Sequence, residues 1–355
     1  MRAYWTHAVT AIALAILLLL PAGAQATWLA LASVLLVLTV FAAVHHAEVV
    51  ALRLGEPFGT LVLAVAVTVI EVALIVSVML PGGEAKATLA RDTVFAAVMI
   101  SCNGILGLCL LFGGLRHREQ VFHLQGSSAA LAVLAALVFL SLVLPNYAIS
   151  ASGPVFSTGQ LAFAGFASLV LYGAFVFVQT VRHREYFLAV GDPAGHEDHA
   201  HVPGGIAALA SAGVMLVALV VIVGLAKALS PSIQSVIVGM GAPAAFVGVV
   251  IAMLVLMPEG VAATRAALAN RLQTSLNLAL GSALASIGLT IPTLAILFIA
   301  RDRPLVLGLE PKDTVLLVLT LVVTIITLGT GRTTVLQGIV HLVIMASYLF
   351  LAIVP

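Results

Sequence analysis

Eleven apolar stretches, parted by short polar connections, constrain this chain more than any other feature. They fall at about residues 8–24, 27–50, 58–80, 93–114, 128–145, 161–181, 205–228, 233–264, 274–300, 313–330 and 333–354. Most hold roughly 17 to 25 residues, the helix length that crosses a hydrocarbon core near 30 Å. A soluble domain carries about a quarter of its residues as charges, whereas this chain of 355 residues is 8% charged and 62% hydrophobic, with a mean hydropathy of +1.23. The predicted class is therefore an all-α integral membrane protein with about eleven transmembrane helices. A β-barrel is disfavoured, because its lipid-facing strands alternate polar and apolar residues and these segments are apolar all round. The expected partner is the lipid membrane; a net charge of +1 gives no basic footprint for nucleic acid. Cys102 and Cys109 share one predicted helix about 10.5 Å apart, beyond disulfide reach, and read as packing residues.

The longest polar stretch, "RHREYFLAVGDPAGHEDHAHVPGG", divides the chain. Residues 1–26 form a leading helix, with a cleaved signal peptide as the alternative reading of Arg2, "AVTAIALAILLLL" and "AGAQA". Residues 27–182 hold five spans, 183–204 a polar His-rich loop, and 205–355 five more. Five is odd, so two consecutive five-helix halves enter the membrane from opposite sides, the geometry of inverted repeats in secondary transporters. Lys and Arg number nine on the connections of the amino-terminal side and six on the other, the latter including Lys227. The excess places the amino terminus in the cytoplasm.

Corresponding helices of the two halves carry corresponding polar residues. "TVIEVALIVSVML" followed by "RDTVFAAVMISCNGILGL" parallels "LMPEGVAATRAAL" followed by "RLQTSLNLALGSALASIGLTIP". Each pair offers one membrane-embedded glutamate, Glu71 or Glu259, and then a helix with a hydroxyl near its middle, Ser101 or Ser282. An acid at a helix centre costs about 2.5 to 3.5 kcal/mol on insertion scales, so it must be paired, protonated or lining a wet cavity. Two glutamates at one buried site repel and lose solvation, which favours their protonated forms while the site is empty. A divalent cation reverses that preference: calcium takes six to eight oxygens, and two carboxylates with hydroxyls and freed carbonyls can supply them. Proton and cation then exclude one another at the same oxygens, which is the chemistry of antiport.

Together, "HHAEVVALRLGEPFGTLVLAVAVTVIEVALIVSVM" from His45 and the segment Pro258 to Pro292 resemble the two α-repeats of the calcium/cation antiporter superfamily, most closely its bacterial ChaA-like calcium (sodium, potassium)/proton antiporters. The resemblance implies a midplane ion site in which Glu71 and Glu259 are the repeat carboxylates and Ser282 in "GSALAS" the family's Gly-Ser serine. Thr68, Ser101, Asn103 and Ser286 are the further candidate ligands of the transported cation and proton. The chain departs from the superfamily's Gly-Asn pair before each glutamate, having "VTVIE" and "VLMPE", with Pro258 as a helix breaker in the second. On a regular helix Ser101 and Asn103 lie about 200° apart, so both face one ion only if that helix is irregular.

Other readings stand beside these. Glu259 in "PEGVAATRAALANR" could mark a helix end at the interface, and Ser275, Ser282 and Ser286 could form a small-residue packing seam. Asn103 could join helices, while His45, His46 and Glu48 read as an interfacial titratable cluster. His196, His199 and His201 read as a pH-sensitive loop, and Glu56 marks a helix start. An intramembrane metalloenzyme needs a set such as H-E-x-x-H, which the sequence lacks. The expected function is exchange of calcium, with sodium or potassium as further substrates, for protons across a bacterial inner membrane; a sodium(potassium)/proton antiporter with little calcium activity is the alternative, and a channel a remoter one. Neither catalysis nor a resident cofactor is expected.

Overall fold

Without water to bond the backbone, a chain in hydrocarbon satisfies its amides and carbonyls within helices, and helices dominate here. The computed structural model describes residues 4–19, 26–55, 58–79, 87–189, 203–239, 241, 243 and 246–354. The helices are α1 (Tyr4–Leu19), α2 (Ala26–Leu54), α3 (Phe58–Met79), α4 (Leu89–Met99), α5 (Leu106–His117), α6 (Leu124–Val138), α7 (Thr158–Phe177), α8 (Gly205–Gly239), α9 (Phe246–Leu268), α10 (Leu272–Ile299), α11 (Pro311–Leu328) and α12 (Val335–Ile353). A π-helical turn, Ile100–Ile105, joins α4 to α5 without a break, so the described residues form eleven rods. They match the eleven expected spans. Among them nine are long and apolar enough to cross a membrane, and two shorter apolar helices accompany them.

Two boundaries need correction. The seventh span continues through Lys227 and Pro231 to Gly239, and the eighth runs from Phe246 to Leu268 rather than from 233. Proline read as a breaker in the sequence, but a long apolar helix tolerates it when neighbours cover the freed backbone groups. Lys227 thus lies inside α8, not on a connection, as Arg265 lies inside the last turn of α9. Likewise α9 runs through Pro258 to Leu268, so Glu259 sits within a helix and not at its end. The missing amide of Pro258 leaves the Leu254 carbonyl without its usual helical donor.

Packing between helices survives exchange of the two halves. α2 packs on α8, its counterpart; α7 packs on α10, as α12 packs on α5; α4 packs on α9, as α10 packs on α3. The connections obey the same rule. Strand β1 (Glu119–Val121), between the third and fourth spans of the first half, pairs antiparallel with β2 (Arg332–Thr334), between the fourth and fifth spans of the second. Exchanging the halves predicts a partner pairing at the other end of the bundle, and Val155 indeed bridges Val306 there. The last helix of each half opens with a capping box, Ser157 with Gln160 on α7 and Thr334 with Gln337 on α12, each reciprocally satisfying two amides. Inversion is thus written into the packing, the loop pairing and the caps together.

Every residue of α4 is buried, and the rod it forms with α5 is the enclosed centre of the bundle. Outer faces are apolar, as on α7, where Phe163, Phe166, Leu169 and Val170 are exposed. Cys102 and Cys109 are buried free thiols. Residues 196, 199 and 201 of the His-rich loop, and Glu56, lie outside the described residues.

Candidate ion-binding site

Helix α10 forms the spine of the candidate site, because its small polar residues recur every four positions. Ser282, Ser286 and Thr290 fall at i, i+4 and i+8, which keeps them on one face. The upper two reach α3: Ser286 Oγ donates to Glu71 Oε2 at 2.9 Å and Thr290 Oγ1 donates to the same oxygen at 3.1 Å. Glu71 is buried, and its Oε1 has no partner. Thr68, three positions earlier, is buried with an unpartnered hydroxyl.

Glu259 approaches the lower end of the same face from α9. It lines a cavity of about 240 Å³ together with Ser282, Gly281, Asn277 and Thr274 of α10 and with Tyr172 and Gln179 of the fifth rod of the first half. Its Oε2 is buried without a hydrogen-bond partner, and it lies within electrostatic range of Glu71 and of Glu48 on α2. The cavity lies toward the bundle end that carries Arg182 and Arg271, since Gln179 belongs to the closing turn of its rod and Thr274 to the opening turn of α10. Glu71 does not line it. One carboxylate therefore meets a cavity while the other is sealed against two hydroxyls.

Ser101 and Asn103 part company on the π-helical turn. Asn103 is fully buried and spends its amide elsewhere: Nδ2 donates to Thr320 Oγ1 of α11 at 2.9 Å, and Oδ1 meets His341 Nδ1 of α12 at 3.1 Å. Ser101 is equally buried, and its hydroxyl has no partner. A buried polar oxygen left unpaired costs about 1 to 3 kcal/mol, and four lie on α3, α9 and the π-helical turn, two of them hydroxyls and two carboxylate oxygens. Thr68 Oγ1, Glu71 Oε1, Ser101 Oγ and Glu259 Oε2 are each buried without a hydrogen-bond partner.

His46 on α2 is buried with both ring nitrogens unpartnered, its ring 4.9 Å from that of His7 on α1 and 5.6 Å from that of His45. These rings form an aromatic cluster; among the described residues no His, Cys, Asp and Glu group has the geometry of a metal site.

Sequence reasoning did not single out Thr290, Asn277, Gln179, Tyr172 or His341. Thr290 was findable, since it extends the Ser282–Ser286 spacing by one more turn. Tyr172 and Gln179 are seven residues apart on one helical face, a signal that acquires meaning only once α10 is placed opposite.

Known proteins resemble this chain in sequence and in fold. The family model described as sodium/calcium exchanger protein matches residues 24–181 and 210–354. A Sinorhizobium fredii protein, y4hA, named as an ionic transporter, is 53% identical over 320 residues, covering 89% of this chain and 86% of its own. The sodium-potassium/proton antiporter ChaA of Escherichia coli is 36% identical over 311 residues, covering 87% and 84%. Among solved structures, the H+/Ca2+ exchanger CAX superposes with a TM-score of 0.72 at 16% identity, covering 98% of this chain and 88% of that one. With both of its halves matched by one family and its bundle shared with another exchanger, this chain belongs to the sodium/calcium exchanger family.

Proposed function

We propose that the protein is a secondary active antiporter that exchanges cations for protons by alternating access, with calcium as the chief cation. The observation that carries this reading is the asymmetry of the two glutamates: Glu259 lines a cavity toward one end, while Glu71 is capped by Ser286 and Thr290. Such a state is one half of an access cycle. Protons neutralise the carboxylates when no cation is present, and a cation replaces them when it enters from the cavity side. The unpaired hydroxyls of Thr68 and Ser101 complete its shell.

Two carboxylates balance the charge of a divalent cation, which supports calcium. A specific observation favours a second reading, in which sodium and potassium are the main substrates: the 36% identical relative is a sodium-potassium/proton antiporter. A monovalent ion leaves one carboxylate to keep its proton. Placement in a bacterial inner membrane, with the amino terminus in the cytoplasm, rests on the Lys and Arg bias and on these relatives.

Proton release from inverted vesicles, driven by calcium, sodium or potassium added singly, tests the reading. Glu71→Gln and Glu259→Gln preserve shape while removing the exchangeable charge, and each is expected to abolish coupled exchange in a correctly inserted protein. Glu→Asp at either position retains a charge withdrawn by one methylene and leaves weaker exchange. Because protons and cation compete, lowering the pH raises the half-saturating cation concentration. Normal calcium-dependent proton release by a well-inserted Glu71→Gln protein would overturn the shared-carboxylate mechanism.

A further inference from the structure

His341 is a lone histidine in the apolar run "GIVHLVIM", and the exchange chemistry above makes no use of it. Its imidazole is fully buried. Nδ1 lies 3.1 Å from Asn103 Oδ1 and Nε2 lies 3.1 Å from Thr327 Oγ1. Asn103 in turn donates through Nδ2 to Thr320 Oγ1 at 2.9 Å, which leaves its Oδ1 as an acceptor. The ring therefore donates from Nδ1 and accepts the Thr327 hydroxyl at Nε2, the neutral tautomer with both nitrogens used. It also contacts the backbone of Cys102. Thr320 and Thr327 come from α11, His341 from α12 and Asn103 from the π-helical turn, so this polar chain fastens three rods together in the interior.

The fastened turn is the one place where the central rod departs from α geometry, Ile100–Ile105. A π turn inserts an extra residue and is held only where its surroundings favour it over the α register. Asn103, the middle of that turn, is gripped on the α11 and α12 side. Ser101, two positions earlier, faces the opposite way. Ile105 lies four positions after Ser101, close to one turn on, and its side chain packs toward Gly260: a β-carbon placed there would lie 3.4 Å from Ile105 Cγ1. Ser101 thus shares the face of the rod that meets α9 beside Glu259, and its hydroxyl is unpaired.

We propose that His341 is a positioning residue of the transport site: through Asn103 it holds the π-helical turn so that the Ser101 hydroxyl is presented on the Glu259 side. The inference rests on the cation/proton reading of that site. It assigns Asn103 to the brace and Ser101 to the ion.

The test is a double-mutant cycle in proteoliposomes, reading half-saturating concentration and maximal rate of proton release with calcium, sodium and potassium in turn. Ser101→Ala removes the ligand and His341→Leu removes the brace. Loss of a buried hydrogen-bonding group of this kind shifts affinity by about tenfold, so each single change should raise the half-saturating concentration by roughly that factor. The double variant should be no worse than Ser101→Ala alone, because residues acting through one another are not additive. His341→Gln, which can still donate and accept, should recover most of the affinity, and Thr327→Val, which removes the ring's other anchor, should raise the half-saturating concentration and serves if the leucine variant fails to fold. Additive effects, or an unchanged half-saturating concentration in His341→Leu or, where that fails to fold, in Thr327→Val, would refute the brace. Loss of exchange in Glu259→Gln with additive His341 and Ser101 effects refutes the brace alone; intact exchange in Glu259→Gln refutes the underlying site.

Discussion

At the scale of single residues, Glu71 shows how an acid is kept in an apolar bundle. Ser286 and Thr290 both donate to Oε2, while Oε1 remains unspent. Hydrogen bonds to a charged group contribute about 1.5 to 3 kcal/mol. Ser286→Ala and Thr290→Ala should therefore each weaken calcium-dependent proton release by about tenfold in half-saturating concentration, and Thr290→Ser should restore most of it. Equal loss in the alanine and serine variants of residue 290 would point to packing instead. Thr293→Ala is the matched control on the same helix, since its exposed hydroxyl donates only to the Leu289 carbonyl of its own turn. The sequence exposed Glu71 and Glu259 by their cost in hydrocarbon and Ser286 by its spacing from Ser282. It could not distinguish the tasks of Ser101 and Asn103, because a helical wheel tells which residues face apart but not which partner each face meets. That information resides in Thr320 and His341, more than 200 residues along the chain.

At the scale of elements, close helix approach depends on missing side chains, as it does generally in membrane bundles. Gly338 of α12 lies on the backbone of α5: an added β-carbon would stand 2.5 Å from the Leu111 amide nitrogen. Gly107 of α5 meets Leu342 and His341 in the same seam. No rotamer change relieves a clash with backbone, so Gly338→Ala must spread α5 from α12 and disturb the brace that His341 forms. Overpacking of this type costs about 1 to 3 kcal/mol. Thermal unfolding in detergent should show Gly338→Ala less stable than wild type and Gly173→Ala unchanged, because nothing lies within 4 Å of a β-carbon at residue 173. Equal unfolding temperatures would mean that the two helices are free to part. Helix number was legible from hydropathy alone, since a span is a run of apolar residues whatever it packs against. Helix ends were less so. Pro231 looks like a breaker in sequence yet sits inside α8, and the π-helical turn has no composition of its own. Its one trace was the conflict between Ser101 and Asn103 on a regular wheel.

At the scale of the whole molecule, the exchange symmetry of the halves says what the other state of the protein should look like. In the present state the cleft between α7 and α10 holds the cavity beside Glu259, bounded by Tyr172 and Gln179. Swapping the halves turns that cleft into the one between α12 and the α4–α5 rod, on the far side, leading to Glu71. There Tyr348, about four turns into α12 as Tyr172 is into α7, is buried edge-on against Phe95 with ring centroids 5.4 Å apart. Arg91 reinforces the closure, pairing with Asp92 at 2.8 Å and donating to the Gly308 carbonyl at 3.1 Å. An impermeant thiol reagent can read this asymmetry, because both native cysteines are buried and contribute little background. Gln179→Cys and Asn277→Cys should react in inverted vesicles and not in right-side-out ones, given an amino terminus in the cytoplasm. Tyr348→Cys should resist the reagent from both sides until Arg91→Gln loosens the far end, and should then react in right-side-out vesicles. Reaction of the Gln179→Cys protein from the outer side alone would reverse the orientation; equal reaction from both sides would make the cleft a through-pore and the protein a channel, since an exchanger never opens both ends at once.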